Sequence, residues 1–439
     1  MKFLPRLLSR IIRAGTLTLT TPNGRVHEFR GSAPGPHVKL RITDPSLDWK
    51  IFFSPELAGA EAYMDGTLIV EDGDAYSLLQ LIFLNKGDFD NSPGQRFWYA
   101  IGLAFRRYLQ YNPLSKAKKN AGHHYNTGND FYRMWLDEDM QYSCAYFPTG
   151  QETLEQAQVL KKRHIAAKLG LAPGQKVLDI GCGWGGMALY LAAVADVEVT
   201  GVTLAEEQLK IAQARAKAAG LEDRVTFELR DYRNITETYD RVVSVGMLEH
   251  VGVTHLGEYF RKVQDVLKPD GVALIHSISS RTPPSVTGPF LRKYIFPGGY
   301  APSVSEAMRS VEESGLWLLD SEIWRVHYAP TLMHWRQRFM ARRDEAVARY
   351  DERFARMWEF YLAACECAFR YGDSHVFQFQ LGRDRAAMPL HRDYVAGAAA
   401  TLAAREAEAI PRINAATRSV FGETGGVPHP AVAAEFENT

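Results

Sequence analysis

The densest chemical signal in this chain is the run Val177-Leu178-Asp179-Ile180-Gly181-Cys182-Gly183-Trp184-Gly185-Gly186. An apolar stretch running into a glycine turn predicts a buried strand that hands over to a helix. Glycine adopts backbone conformations that other residues avoid and lets the chain approach a ligand closely. Asp179, at the strand's end, can hold a cationic or polar ligand group. A lone Gly-x-Gly is shared with dinucleotide enzymes. An aspartate just ahead of Gly181-x-Gly183-x-Gly185 favours S-adenosylmethionine, against the plainer reading of a strand–helix turn with no ligand. Val202-Thr203-Leu204 closes the next predicted strand. Glu206 and Gln208 follow it, where a ribose needs hydrogen-bonding side chains. Asp231-Tyr232-Arg233 follows the third strand, and Tyr232 can cover an adenine or simply pack.

Glu249, His250 and His276 invite a metal reading. The adjacent Glu249-His250 pair at a strand end lacks helical metal-ligand spacing, and the cysteines do not complete a site, so no metal is expected. Cys144, Cys182, Cys365 and Cys367 form neither a disulfide framework nor a Cys-x-x-Cys pattern. That usage fits a reducing, cytoplasmic compartment.

These residues sit on an alternating pattern. Predicted strands at 176–180, 197–203, 225–229, 240–245 and 272–278 are separated by helical stretches such as 206–219 and 256–267. The alternation argues for a mostly parallel sheet with helices on both faces. Residues 330–371 read as strongly helical and 375–381 as a late strand. The first part of the chain differs. Asn23-Gly24 reads as a tight turn between strands at 16–21 and 25–29, with further strands at 38–42 and 49–53 and a helix at 76–84. The expected organisation is an N-terminal α+β domain over 1–90, a basic linker and helix over 91–125, an α/β domain over 126–425, and a flexible tail over 426–439.

The 439 residues carry no net formal charge, so no bulk field points to nucleic acid. The charge is nevertheless uneven. Lys2, Arg6, Arg10 and Arg13 accompany Phe3, Leu4, Leu7, Leu8, Ile11 and Ile12 at helical spacing. That basic amphipathic helix can lie on a bilayer surface or dock on the protein itself. A second acid-free block holds Arg96, Arg106, Arg107, Lys116, Lys118 and Lys119 with interleaved aromatics. Such blocks suit an anionic surface. No apolar run approaches the roughly 20 residues of a membrane span, and no signal peptide is recognised.

From His124 to Leu381 the chain resembles the cyclopropane fatty acid synthase family, which includes the mycolic acid methyltransferases. The resemblance rests on Gln141-Tyr142-Ser143-Cys144-Ala145-Tyr146-Phe147, the Gly181–Gly186 loop, and Ser244-Val245-Gly246-Met247-Leu248-Glu249-His250-Val251-Gly252. It continues through His276-Ser277-Ile278, Lys293-Tyr294-Ile295-Phe296-Pro297-Gly298-Gly299 and Tyr328-Ala329-Pro330-Thr331-Leu332. Met247-Leu248 replaces the family's more usual Met-Phe, a small departure that bears on the acyl channel. The N-terminal part resembles, more weakly, the lipid-handling domain of the full-length bacterial enzymes. The resemblance implies a Rossmann-like class I S-adenosylmethionine-dependent methyltransferase domain (α/β) with a smaller N-terminal α+β lipid-binding domain. It implies cofactor contacts at Tyr142, Ser143, Asp179, Gly181, Gly183, Thr203, Gln208 and Tyr232. It also implies a bicarbonate ion held by Cys144, Glu249, His276, the backbone of Ile278, and Tyr328. Cys365 matches a cysteine once regarded as the family's nucleophile, and a buried helix cysteine is the plainer reading.

The implied chemistry adds a methylene unit to the double bond of an unsaturated acyl chain of a membrane phospholipid. An isolated alkene attacks only a strong electrophile, and a sulfonium methyl is one. Attack leaves a carbocation, and loss of a methyl proton closes the ring. The protein must orient the alkene, exclude water and supply a weak base, a role that suits bicarbonate. Aromatic faces stabilise a cation by roughly 0.5–2 kcal/mol each; Tyr146, Phe147, Tyr294 and Phe296 are candidates for that or for packing. Methyl- or methylene-branching of the same chain, N-methylation of a small molecule, and a lipid-binding surface protein with a relic cofactor site are the alternatives. The expected location is the cytoplasm, peripheral on the inner face of the cell membrane. The oligomeric state stays open, a homodimer among the options.

Overall fold

The computed structural model describes residues 1, 3–87 and 128–422. In chain order these form α1 (Phe3–Ile11), β1 (Ala14–Thr20), β2 (Val26–Arg30), β3 (Ala33–Ile42), α2 (Leu47–Phe53), α3 (Pro55–Met64), β4 (Leu68–Asp72) and α4 (Ala75–Leu84). After the gap come α5 (Asn129–Arg133), α6 (Leu154–Leu169), β5 (Lys176–Ile180), α7 (Gly186–Ala195), β6 (Glu198–Thr203), α8 (Glu206–Ala218), β7 (Val225–Leu229) and β8 (Tyr239–Val245). Then follow α9 (Leu256–Val266), β9 (Leu267–Ser280), α10 (Val304–Ser314), β10 (Trp317–Trp324), α11 (Tyr328–Ala341), α12 (Arg343–Arg349), α13 (Glu352–Arg370), β11 (Ser374–Gly382) and α14 (Asp393–Phe421). The chain divides into two compact units. One takes Met1–Tyr111, Arg281–Tyr300 and Tyr328–Ser374; the other takes Asn112–Ser280, Ala301–His327 and His375–Thr439. The boundaries expected near 90, 125 and 425, the second basic block and the tail all lie outside the described residues.

The first unit is built on a four-stranded sheet in the order β2-β1-β3-β4. The turn at Asn23-Gly24, with Gly24 at φ +76°, pairs β1 with β2 in antiparallel register, Thr20 opposite Val26. Inward residues Leu17, Leu19, Val38, Leu40 and Ile42 meet Leu78 and Leu81 of α4. Asn85 closes this core: its side-chain oxygen accepts from the Arg13 and Ala14 N–H groups at 2.6 and 3.0 Å. Helix α1 turns its apolar side inward, with Leu4, Leu8, Ile11 and Ile12 on the same core. Its first N–H groups, from Phe3 and Leu4, donate to the Asp48 carboxylate at 3.2 and 2.7 Å. An acidic group at a helix N-terminus satisfies donors that the helix cannot.

Residues 49–53, expected as a strand, belong to helix α2. Leu47 and Ile51, four residues apart, face the core, while Trp49, Phe52 and Phe53 are exposed. That burial follows the helical period, not strand alternation. Asp44 supports the helix start by accepting from the Ser46 N–H at 2.8 Å. The aromatic, β-prone composition masked the period.

The second unit holds a seven-stranded sheet in the order β10-β11-β9-β8-β5-β6-β7. The pairs β5–β6, β6–β7, β5–β8 and β8–β9 are parallel and β10–β11 is antiparallel. Period-2 alternation sends Val177, Val199, Val243 and Leu274 to one face and Leu178, Val202, Val242 and Ile275 to the other. Leu189, Leu191 and Ile413 cover the first face; Tyr259, Phe260 and Val311 cover the second. Each such fully buried side chain stabilises the fold by about 1.5–3 kcal/mol relative to exposure. The sequence climbs outward from β5 to β6 and β7, then restarts at β8 and β9 on the other side. That reversal makes the carboxyl ends of β5 and β8 a switch point, the place where open α/β sheets bind ligands.

Candidate active site

Strand β5 delivers Asp179 and the glycine turn to this switch point. Gly181, Gly183 and Gly185 have φ of +82°, +54° and +84°, the left-handed region that glycine alone enters freely. The three glycines answer to different surroundings. A Cβ on Gly185 would strike Phe227, and one on Gly181 would sit 2.9 Å from the Met247 side chain. A Cβ on Gly183 would meet no atom within 4 Å. Gly183 therefore borders open space. Asp179 is buried, and burial pushes its carboxyl from 3.8 up to about 7 while the nearby Lys161 charge pulls it back. Its Oδ2 has no hydrogen-bond partner. A buried acceptor of this kind needs one.

The segment 137–147 lies against the turn. Asp139 is buried yet held below the usual carboxylate range by Lys162 and Arg215, both of which pair with it. Arg215 also donates to the Trp184 carbonyl at 2.6 Å, joining α8 to the glycine turn. Gly186 has no room for a side chain, since a Cβ there would lie 2.6 Å from Asp139 Oδ2. Tyr142 packs on Tyr132 and Trp135 at ring distances of 5.4 Å each, and Tyr132 packs on Trp184 at 5.3 Å. Ser143 and Cys144 are buried, and the Cys144 thiol donates to the Ala145 carbonyl at 3.3 Å.

A second group gathers at the ends of β8 and β9. Glu249 sits in a short 3-10 turn over Leu248–His250. Burial pushes its carboxyl from 4.5 up to about 7, against the Ile278 N–H, which donates to Glu249 Oε1 at 2.6 Å. Glu249 Oε2 is buried and has no partner. His276 is buried, and desolvation pushes its imidazole well below 6.5, so it is neutral at neutral pH. Gln378 lies 3.1 Å from His276 Nδ1, and its amide oxygen accepts from Lys168 Nζ at 3.2 Å. An ammonium cannot accept, so the Gln378 amide turns its NH2 toward Nδ1. That leaves the imidazole proton on Nε2, a donor. Gln378 and Lys168 carry no motif, and sequence reasoning missed both.

The remaining expected residues fall as follows. Thr203, at the end of β6, is buried and accepts from the Ala205 N–H at 3.1 Å; Gln208 is buried in the first turn of α8. Tyr232 packs edge-to-face on Tyr259 at 5.4 Å, with the Arg233 guanidinium 5.5 Å over its ring, so the packing role is present in full. Tyr328 lies in the first unit, at the start of α11, against Phe369 and Trp335 at 4.6 and 5.8 Å. Cys365, on α13 of that unit, has its thiol pushed up to about 12 by burial, the wrong direction for a nucleophilic thiolate. Among the described residues, no group of three or more His, Cys, Asp or Glu is placed to hold a metal ion.

An unpartnered buried carboxylate oxygen beside a glycine turn with open space fits the polar, cationic end of S-adenosylmethionine. Fold and turn together define an S-adenosylmethionine-dependent methyltransferase with a Rossmann-like sheet. The chain belongs to the mycolic acid cyclopropane synthetase family, whose model matches residues 113–379. It is 39% identical to cyclopropane-fatty-acyl-phospholipid synthase of Escherichia coli K12 over 355 residues, covering 81% of this chain and 90% of that protein. A probable fatty acid methyltransferase of Pseudomonas putida is 36% identical over 352 residues, covering 77% of this chain and 85% of that protein. The solved structure of mycolic acid cyclopropane synthase CmaA1 complexed with SAH and CTAB superposes with a TM-score of 0.56 at 30% identity, over 62% of this chain and 99% of that one.

Gly183→Val should abolish binding of S-adenosylhomocysteine in calorimetry, because a branched side chain at φ +54° is strained and fills the open space. Unchanged affinity would remove the glycine turn from the site. Asp179→Asn should alter stability in a defined direction. A carboxyl whose folded pKa is raised favours the folded state below the unfolded value of 3.8, and this contribution is lost as pH rises through about 7. In ligand-free protein at pH 8 the variant should melt a few degrees above the native chain, roughly the shift that 1 kcal/mol gives a domain of this size. At pH 5 the gap should shrink; a gap independent of pH would refute the burial argument.

Proposed function

We propose that this protein transfers a methylene unit from S-adenosylmethionine to the double bond of an unsaturated acyl chain of a membrane phospholipid, forming a cyclopropane ring. The observation that carries this reading is Glu249: a buried carboxyl poised near neutrality, one oxygen tied to the Ile278 N–H and the other without a partner. The neutral His276, with a donor at Nε2, lies on the strand that carries Ile278. Together they offer an acceptor and a donor, a pair that fits a small hydrogen-bonding oxyanion such as bicarbonate. When bound, S-adenosylmethionine supplies an electrophilic sulfonium methyl, and bicarbonate supplies a base too weak to quench a carbocation.

This chain's own residues have four tasks in that reaction. Tyr142, Ser143, Asp179, the glycine turn, Thr203, Gln208 and Tyr232 bind and orient the cofactor. Cys144, Glu249, His276 and Ile278 hold the base, and the family resemblance adds Tyr328 to that set. Glu249, with its raised pKa, takes up the proton released when the ring closes. Burial of Cys144, His276 and the Glu249 carboxyl excludes water that would trap a carbocation.

Methyl- or methylene-branching of the same acyl chain is the second reading, favoured by the likeness to the Pseudomonas putida relative. The products separate the two. Lipids from cells expressing the protein, analysed by mass spectrometry and by proton NMR, should contain cyclopropane rings. Branched chains without rings would favour the second reading, and unaltered lipids would refute both. Glu249→Gln should keep cofactor affinity and lower turnover by about 10²-fold or more, the usual scale for a lost proton acceptor. Carbonate-free buffer should slow the native enzyme. Full activity of the variant together with indifference to carbonate would overturn the proposed base.

The acyl chain lies in a bilayer and the cofactor in water, so the protein must meet a membrane surface. Among the described residues no helix is long and apolar enough to cross a membrane. Two features of the first unit support peripheral docking. Arg6, Arg10 and Arg13 are exposed beside α1. On α2, Trp49, Phe52 and Phe53 are 58, 49 and 53% exposed, and Phe53 meets each of the other two edge-to-face. Each base near an anionic surface contributes about 1 kcal/mol, screened by salt. Replacing the three aromatics with Ser should reduce sedimentation with phosphatidylglycerol vesicles and activity on them, with affinity for S-adenosylhomocysteine unchanged. Glutamine at Arg106, Arg107, Lys116, Lys118 and Lys119 should act the same way. Equal sedimentation of native and substituted proteins at low salt would exclude docking through these residues.

A further inference from the structure

Two buried polar side chains, one turn apart on α6, hold the segment that carries Tyr142, Ser143 and Cys144. Gln158 and Lys161 are 1 and 0% exposed. The Gln158 amide donates to the carbonyls of Gln141 and Ser143 at 3.2 and 3.0 Å. Lys161 Nζ donates to Gln141 Oε1 at 2.7 Å and to Ser143 Oγ at 2.9 Å. An ammonium is expensive to bury, and an apolar side chain would fill the same volume at less cost. The buried charge therefore has a specific task.

The direction of these bonds supplies one. Burial pulls the Lys161 amine down to about 7 while the Asp137 and Asp139 carboxylates hold it up; in its protonated form it has no lone pair, so in its bond with Lys161 the Ser143 hydroxyl must accept. The proton of Ser143 is then left to point elsewhere, and the hydroxyl becomes a one-way donor. The Gln141 amide is fixed too, its oxygen on Lys161 and its nitrogen donating to Asp139 at 3.0 Å. Asp139 is in turn paired with Lys162 and Arg215. The whole chain of bonds has one orientation. The Lys161 charge also lowers the Asp179 carboxyl against its burial and adds to the depression of His276. It thus acts on both halves of the site.

We propose that Lys161 is a positioning residue for cofactor capture, fixing the Ser143 hydroxyl as a hydrogen-bond donor to the carboxylate at the amino-acid end of S-adenosylmethionine. The proposal rests on the reading of Ser143 as a cofactor contact. On this view Gln158 sets the backbone position of Ser143, and Lys161 sets the orientation of its proton.

A double-mutant cycle in the full-length chain tests it, with the Kd for S-adenosylhomocysteine measured by calorimetry. Ser143→Ala and Lys161→Met should each raise Kd by roughly tenfold, the effect of one lost charge-assisted hydrogen bond. The double variant should be no weaker than Lys161→Met alone, because Ser143 acts only through the orientation that Lys161 sets. If Ser143→Ala weakens binding while Lys161→Met does not, or if the two losses multiply, the positioning role of Lys161 is overturned and Ser143 remains a cofactor contact. If Ser143→Ala leaves Kd unchanged, both statements fail. Near-UV circular dichroism checks that each variant is folded, and Lys161→Gln replaces Lys161→Met in the same cycle if the latter is not.

Discussion

The site of this protein depends on one buried carboxylate. Asp139 takes Lys162 from α6 and Arg215 from α8, and Arg215 reaches on to the Trp184 carbonyl. Two helices, the 137–147 segment and the glycine turn are thereby fixed to a single point. Removing any one member would leave an uncompensated buried charge, which costs far more than the assembled cluster contributes. The cluster is therefore better understood as a device for register than as a source of stability. Its shape is imposed on the sequence at Gly186, where a side chain would collide with Asp139. The last glycine of the motif answers to the Gln141 amide and to this carboxylate.

Around that fixed point the chain places two acceptors and leaves one oxygen of each open. Asp179 and Glu249 stand at the ends of adjacent strands, both raised to about 7 by burial. In a folded protein such groups cost stability as they ionise, and neither is neutralised by a full ion pair. The arrangement makes sense when the open Asp179 oxygen meets the cationic end of S-adenosylmethionine and the open Glu249 oxygen accepts the proton of the proposed oxyanion. The glycine turn and the 3-10 turn at Leu248–His250 do matching work, each carrying backbone around a strand end so that a side chain faces the switch point.

Sequence reasoning reached the sheet because its signals are local. Val177–Ile180 and Gly181–Gly185 declare a buried strand and a left-handed turn by composition alone, and alternation marked the remaining parallel strands. It failed where burial contradicts residue type. Residues 49–53 read as a strand because aromatic residues favour one, whereas the helix is set by Leu47 and Ile51 facing the core. β10 and β4 went unread, since a strand such as β10, with exposed Trp317, Leu318 and Ile323, has no clean alternation. α14 went unread because its buried face mixes small and polar side chains, Ala409, Ala416, Glu406 and Thr417, with only Leu402 and Ile413 as large apolar residues. Within the candidate site, the residues belonging to motifs could be picked out as candidates. Their supports could not, because a glutamine or lysine that holds another side chain looks like any surface glutamine or lysine.

Helix α6 shows why. Its sequence, Leu-Glu-Gln-Ala-Gln-Val-Leu-Lys-Lys-Arg-His-Ile-Ala-Ala-Lys-Leu, has the composition of a solvated helix, yet Gln158, Lys161, Lys162 and Lys168 are all buried. Each is committed to a different acceptor: Gln158 to two carbonyls, Lys161 to Ser143 and Gln141, Lys162 to Asp139, and Lys168 to Glu322 and Gln378. One rigid element thus governs the Ser143 segment through its middle and the His276 tautomer through its end, the latter by way of Gln378. Side chains anchored on a helix are positioned more precisely than those on loops. The residues of the site that lie in turns, Ser143, Cys144 and Glu249, can be exact only if something regular stands behind them. For the Ser143 segment and for His276 that element is α6, and the cost of burying its charges is the measure of how much precision the chemistry demands.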